Sequence, residues 1–243
     1  MIVVLTIVPN HLLWGYNPTL APLFFFNLKL IVIYKTEPFP HFFEHNPISE
    51  PERLQLIKFC DKTKFRKIEG GAYIKFINEI DDFHIKNILE SLRIRARKRF
   101  EANFKKYLPD KIDEIAKTEN LDKNFKFEMF DYGPFINIVP KGTFSNAHRD
   151  GYKNMLISIF YFGTTENNET QTTTLLHGQE ILLNHGAEPK GDEDFSKIER
   201  LNYGQTKNAA LYFYNSETAF HMVDFPIEAD RIIVMMGIEI SVC

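Results

Sequence analysis

Residues 155–163 read Met155-Leu156-Ile157-Ser158-Ile159-Phe160-Tyr161-Phe162-Gly163, and they follow closely on the polar turn Asn146-Ala147-His148-Arg149-Asp150-Gly151. A short apolar run bounded by turn residues and rich in Ile, Phe and Tyr is the pattern of a buried strand. Reading outward, a strand-like period recurs at residues 125–130, 135–139, 172–183, 198–203, 209–214, 220–225 and 231–240, with turn residues between. The part of the chain before residue 125 is helical instead. Ser49-Glu50-Pro51-Glu52 fits a capping box ahead of Leu54, Leu56 and Ile57. Residues 81–107 carry Ile85, Ile88, Leu89, Leu92, Ala96, Phe100 and Phe104 at spacings of three and four. Pro109 is expected to end that segment, with a short helix over 111–117 to follow. Helices first and strands afterwards predict an α+β fold: a sandwich or barrel of jelly-roll type, with the helices packed on one outer face.

Composition narrows the function. The 243 residues are 44% hydrophobic and 25% charged, enough to bury a sizeable core and too apolar for disorder. A net charge of -3 offers no basic field for nucleic acid or anionic membrane. The one dense basic run, Arg93 to Arg99, reads as a solvated helix face balanced by acids elsewhere. Cys60 and Cys243 alone exclude a disulfide scaffold or a cysteine-based zinc site, so a metal must sit on His and carboxylate. Residues 1–34 form an apolar extension broken by Pro9, Pro18 and Pro22, which argues against a spanning helix or a secretory signal. The main domain is then 35–243, with an extended lead-in at 37–43, a helical front at 49–117 and a β core at 125–240.

The chemistry is sought where polar residues interrupt the strands. Two imidazoles and one carboxylate on one face of a metal hold iron(II) and leave positions open for other ligands. His148 and Asp150, one residue apart at the end of a strand, would share a face, and His221 would reach them from another strand. The spacing is weak by itself: 8 His and 32 acidic residues in 243 positions give about one His-x-acid by chance. Its force comes from order, because His221 opens a late strand and Arg231 opens the last one. Arg231 could bind a dicarboxylate bidentately, or simply pair with Asp230 or Glu228. His84, His177 and His185 have no partner at ligand spacing and read as structural or surface positions.

With that order of features, residues 35–240 resemble the iron(II)- and 2-oxoglutarate-dependent dioxygenases, in their prolyl-hydroxylase-like branch. The resemblance implies a double-stranded β-helix, metal ligands His148, Asp150 and His221, and Arg231 paired with the distal carboxylate of 2-oxoglutarate. It also implies Tyr161 as a second partner of that carboxylate, although a core tyrosine is an equal reading of the residue itself. Asn137 is the candidate for the other end of the cosubstrate, with a turn-supporting role as its plainer reading. The implied cofactors are Fe(II), 2-oxoglutarate and O2. The implied reaction is hydroxylation of an unactivated C–H in a small molecule, amino acid or peptide side chain, with release of succinate and CO2. Asp150 favours hydroxylation over halogenation, where a small residue would leave room for chloride. Two other classes stay open: a jelly-roll binding module without catalysis, and a cupin-type metal enzyme that ignores 2-oxoglutarate. The reduced cosubstrates would place the protein in the cytoplasm. The polar segments 164–172 and 184–196 are candidate lids.

Overall fold

A computed structural model describes residues 32–68, 71–122, 125–143, 145–165, 169–179, 181, 197–223 and 229–243. In chain order the strands are β1 Val32–Lys35, β2 His41–His45, β3 Arg66–Lys67, β4 Tyr73–Phe76, β5 Phe127–Val139, β6 Ser145–His148 and β7 Asn154–Gly163. They continue with β8 Thr170–Gln171, β9 Thr174–Leu176, β10 Arg200–Leu201, β11 Gln205–Thr206, β12 Ala209–Tyr214, β13 His221–Val223 and β14 Arg231–Val242. The α-helices α1 Glu50–Phe59, α2 Phe83–Arg99 and α3 Leu108–Glu119 precede β5. An eight-stranded sheet runs β1-β2-β12-β7-β14-β5-β4-β3, and a four-stranded one runs β10-β9-β13-β6. The class is α+β with antiparallel pairing throughout.

The near-continuous apolar strands are explained by burial on both faces. On β7, β12 and β14, Leu156, Phe160, Ala210, Tyr212, Ile232 and Val234 share one core with Ile85, Leu89 and Leu92 of α2. Their alternate neighbours Ile157, Ile159, Leu211, Phe213 and Ile233 form a second core with Leu175 and Val223 of the smaller sheet. Period-two alternation is therefore present, but both phases are apolar.

The helix ends follow local chemistry. The Glu52 carboxylate accepts from Ser49 N at 2.7 Å and Ser49 Oγ at 2.6 Å, and Asp82 accepts from the amides of His84 and Ile85 at the start of α2. Pro109 opens α3 instead of ending the segment before it, since a first-turn proline lacks only an amide that would have no partner there. Between α2 and α3 the chain stays helical through a π-turn, Phe100–Phe104, whose Phe100 and Phe104 are buried.

The basic run of α2 is an anchor where the sequence reads as a solvated face. Arg95 and Arg99 reach the fully buried Glu44 of β2 at 3.1 and 2.5 Å, and the Tyr212 hydroxyl donates to the same carboxylate. Arg97 pairs with Asp131 of β5 at 2.7 Å. Three arginines and two carboxylates thus fasten the helix to the sheet it covers. β3 and β4 were not visible in the sequence pattern, being four residues or fewer each. Segment 184–196 and His185 lie outside the described residues. Among the described residues no helix is long and apolar enough to cross a membrane.

Two stability effects are expected. Glu44→Ala leaves two guanidinium groups facing an emptied pocket and should cost about 3 kcal/mol, read as a lower urea midpoint. His41 is buried, its Nδ1 against Phe39 O and its Nε2 against the Tyr203 hydroxyl, and burial lowers its pKa to about 4. The unfolded chain then binds the proton that the folded chain refuses, so this contribution is full above pH 6.5 and is lost as pH falls toward 4. Between pH 7 and 4.5 the wild type should lose about 2 to 3 kcal/mol more than His41→Gln, measured by urea unfolding at both values.

Candidate metal centre

Residue His148 ends β6 and His221 opens β13, and the register of that pair makes them direct cross-strand partners. Their ring centroids lie 4.4 Å apart. Asp150 sits two residues further, on the turn into β7, with Oδ2 3.7 Å from His221 Nε2. The ligand atoms of His148, Asp150 and His221 all lie within 4.8 Å of one another, which is the spread needed to meet one ion.

The protonation pattern suits a metal. His148 Nδ1 lies 2.8 Å from Asn146 O and His221 Nδ1 3.2 Å from Ala219 O. A carbonyl oxygen only accepts, so each Nδ1 carries the proton and each Nε2 keeps its lone pair for the centre. Burial holds the His221 imidazole well below its ordinary pKa, against the opposing pull of the Asp150 carboxylate. Asp150 Oδ2 is buried with no hydrogen-bond partner among the described residues. The donor set therefore fits a divalent ion.

The Asp150 turn is fixed from behind. Asn215 Nδ2 donates to the carbonyls of Asp150, Gly151 and Asn154 at 3.3, 2.9 and 3.1 Å. Beneath it the buried Lys111 of α3 pairs with Glu114 at 2.5 Å and donates to the carbonyls of Tyr152 and Asn215. Glu114 also takes Arg149 at 2.8 Å. None of these supports stood out in the sequence, because nothing in a local pattern pairs Lys111 with a turn 40 residues away.

Arg231, Tyr161 and Asn137 come together on the inner face of the large sheet. Ile233 of β14 is paired with Asn137 on one side and with Tyr161 on the other. Arg231 is two positions along the same strand, hence on the same face. It is 6% exposed and, among the described residues, touches one acceptor, Gln171 O, at 3.2 Å, while its Nε has none. Asp230, the pairing that would have explained Arg231 away, goes instead to Lys62 and to the amide of Lys141. Glu228 lies outside the described residues. Asn137 Oδ1 is likewise buried without a partner among the described residues. The Tyr161 hydroxyl donates to Thr173 Oγ1 at 2.8 Å and accepts from Thr173 N at 3.2 Å, so its single proton is already engaged. Thr173, 3% exposed, is the hydroxyl in this cluster that accepts a proton and still has its own to donate. The sequence hid it in the run Thr172-Thr173-Thr174.

Elsewhere, His177 stands 3.7 Å from Glu199, and His84 is exposed on the first turn of α2. Of the segment 164–172, residues 166–168 lie outside the described residues.

No protein-family model and no curated protein matches the chain. Solved structures do resemble it. A prolyl-4-hydroxylase from Pseudomonas putida aligns at a TM-score of 0.49 and 12% identity, over 82% of this chain and 91% of that one. A prolyl hydroxylase from Trichoplax adhaerens, in complex with a hypoxia inducible factor oxygen degradation domain peptide fragment, aligns at 0.49 and 12%, over 82% and 83%. An oxidoreductase of the 2OG-Fe(II) oxygenase family from Burkholderia pseudomallei aligns at 0.44 and 12%, over 80% and 81%.

His148→Ala and His221→Ala should each abolish stoichiometric binding of Fe(II) or Mn(II) in anaerobic calorimetry while leaving the circular dichroism spectrum and the urea midpoint near wild type. Retention of wild-type metal affinity in either variant would remove that residue from the centre.

Proposed function

We propose that the chain is an iron(II)- and 2-oxoglutarate-dependent oxygenase that hydroxylates an unactivated C–H of a small molecule or of an amino-acid side chain. One observation carries this reading: a buried guanidinium without a carboxylate partner among the described residues faces the same interior as a His-Asp-His cluster. A buried charge without a counter-ion is costly, and a guanidinium stays protonated even where burial lowers its pKa, as it does for Arg231. An anionic ligand removes that cost. A binding module without chemistry leaves the triad unexplained, and a metal enzyme without a cosubstrate leaves Arg231 unexplained.

On this reading the two sheets close as a double-stranded β-helix of jelly-roll type, with the helices on one outer face and the second core as its interior. The catalytic domain spans residues 35–243. His148, Asp150 and His221 hold the iron. Iron(II) held there would activate O2, the oxidant, which would oxidise 2-oxoglutarate to succinate and CO2 with one oxygen atom and hydroxylate the C–H with the other. The chain's own part is placement. Arg231 holds the distal carboxylate, Thr173 donates a hydrogen bond to it, and Tyr161 orients Thr173 from behind. Asn137 lies across Ile233 from Tyr161, within the same receptor. Ile157, Ile159, Leu211 and Ile233 line the interior and keep water from the site. Asp150, as an oxygen ligand, fills the position a halide would need, which favours hydroxylation.

The deciding experiment is an anaerobic titration of the apo protein with Fe(II) and then 2-oxoglutarate, read by the visible charge-transfer band of a chelated keto acid. The band should appear with wild type and be absent with His148→Ala. Arg231→Ala should weaken 2-oxoglutarate binding about a hundredfold with Fe(II) affinity unchanged. Thr173→Val should weaken it about tenfold, Thr173→Ser should restore it, and Tyr161→Phe should fall between wild type and Thr173→Val. No band despite bound iron would overturn the 2-oxoglutarate assignment. Equal losses of iron and cosubstrate affinity in Arg231→Ala would make that residue structural.

A further inference from the structure

Strand β5 is longer than the partner on its outer edge. Residues 135–138 pair with β4, whereas Phe127–Tyr132 pair with β14 alone among the described residues. That half of β5 thus presents an open strand edge. Its two faces differ. Phe127, Met129, Ile238 and Ile240 turn toward the helix-side core, and Asp131 is engaged by Arg97. The register pairs Tyr132 with Gly237, Phe130 with Glu239 and Glu128 with Ser241, so these six share the opposite face. There Glu128 is exposed, Phe130 is 43% exposed, and Tyr132, Glu239 and Ser241 are half-buried.

This ledge abuts the metal centre. The turn that carries Asp150 is joined to β14 beside Glu239, through the hydrogen bond from Ile240 N to Lys153 O at 3.0 Å. Gly237 makes room for the Tyr132 ring, since a Cβ there would lie 2.5 Å from Tyr132 Cε1. Burial pushes the Tyr132 phenol up, and the nearby charges of Asp150 and Glu239 push it the same way. Neither Glu128 nor Glu239 forms an ion pair among the described residues. The neighbouring cation Lys153 is held by Glu119 at 2.7 Å, and Lys126 stands at the far end, before β5 begins.

We propose that this ledge seats the substrate, and that the substrate is an extended peptide segment bearing lysine or arginine. The open edge offers main-chain hydrogen bonds to an extended chain. Phe130 and Tyr132 offer ring faces to a cation, and Glu128 and Glu239 supply the opposite charge. As a substrate seat the inference rests on the oxygenase reading; as a basic-peptide surface it is tested separately.

The probes are two fluorescein-labelled dodecapeptides built on alanine and glycine, one with four lysines and one with four glutamates at the same positions. Anisotropy is recorded anaerobically with full-length protein, with and without Fe(II) and 2-oxoglutarate. The lysine peptide should bind wild type about fivefold or more tightly than the glutamate peptide. The double variant Glu128→Gln/Glu239→Gln should lose that preference. A control with the same change in net charge on α2 and the following π-turn, Glu90→Gln/Glu101→Gln, should keep it. No preference in wild type, or equal loss in the control, overturns the inference. The visible band in the same samples separates the two claims. A band without peptide preference overturns the ledge alone. No band in wild type overturns the oxygenase reading, and a lysine preference that persists there and vanishes in the ledge variant still supports the surface.

Discussion

Everything at the site hangs on the register of β14. This strand is paired on both sides, to β5 and to β7, and is apolar on both faces. A slip of one residue would move Arg231 and Ile233 to the helix side and put Ile232 and Val234 into the interior. What prevents the slip is the helix-side core, where Ile232, Val234, Met236, Ile238 and Ile240 are all at most 2% exposed. The face that carries Arg231 is thus fixed from the opposite face of the same strand.

On β5 the constraint takes a second form. Between Met235/Gly237 of β14 and Phe135/Tyr132 of β5 the ladder carries an irregularity that gives β5 an extra residue. Odd positions face the interior after it and even positions before it, so Asn137 and Tyr132 lie on the same face despite their opposite parity. Gly133 makes this possible: its φ is +76°, and a Cβ would stand 2.7 Å from Met235 O. The phase change explains why the sequence reads as two strands, 125–130 and 135–139, where the chain forms one. A period count breaks at a bulge, and no local signal says that the backbone continues.

The same reasoning sorts what could be read in advance from what could not. The capped helices, the long apolar stripe of α2 and the strands at 155–162, 209–214 and 231–240 were legible because each is decided by near neighbours in sequence. His148, Asp150 and His221 were legible only through their order along the strands, and the structure brings all three together. Of the two acids that could have paired with Arg231, Asp230 is engaged by Lys62 and Glu228 lies outside the described residues. The basic run of α2 was misread because its partners, Glu44 and Asp131, lie on distant strands. Thr173 and Asn215 were invisible for the same reason: their roles come from hydrogen bonds made across the fold.

Buried charges fall into two kinds here, and the difference bears on function. Glu44 and Lys111 are fully buried and fully engaged, the one by two arginines and a tyrosine, the other by Glu114 and two carbonyls. Such groups hold elements together, and their cost of burial is offset inside the protein. Among the described residues Arg231 has one carbonyl, and Asp150 Oδ2 and Asn137 Oδ1 have no partner. Asn137 and Arg231 lie on the inner face of β5 and β14, and Asp150 lies beside the two histidines of the smaller sheet. Unmade interactions of this kind are a standing cost to stability, and only a ligand that completes them offsets it. On the proposed reading these groups have their partners in bound ligands: a cation between His148, Asp150 and His221, and an anion against Arg231.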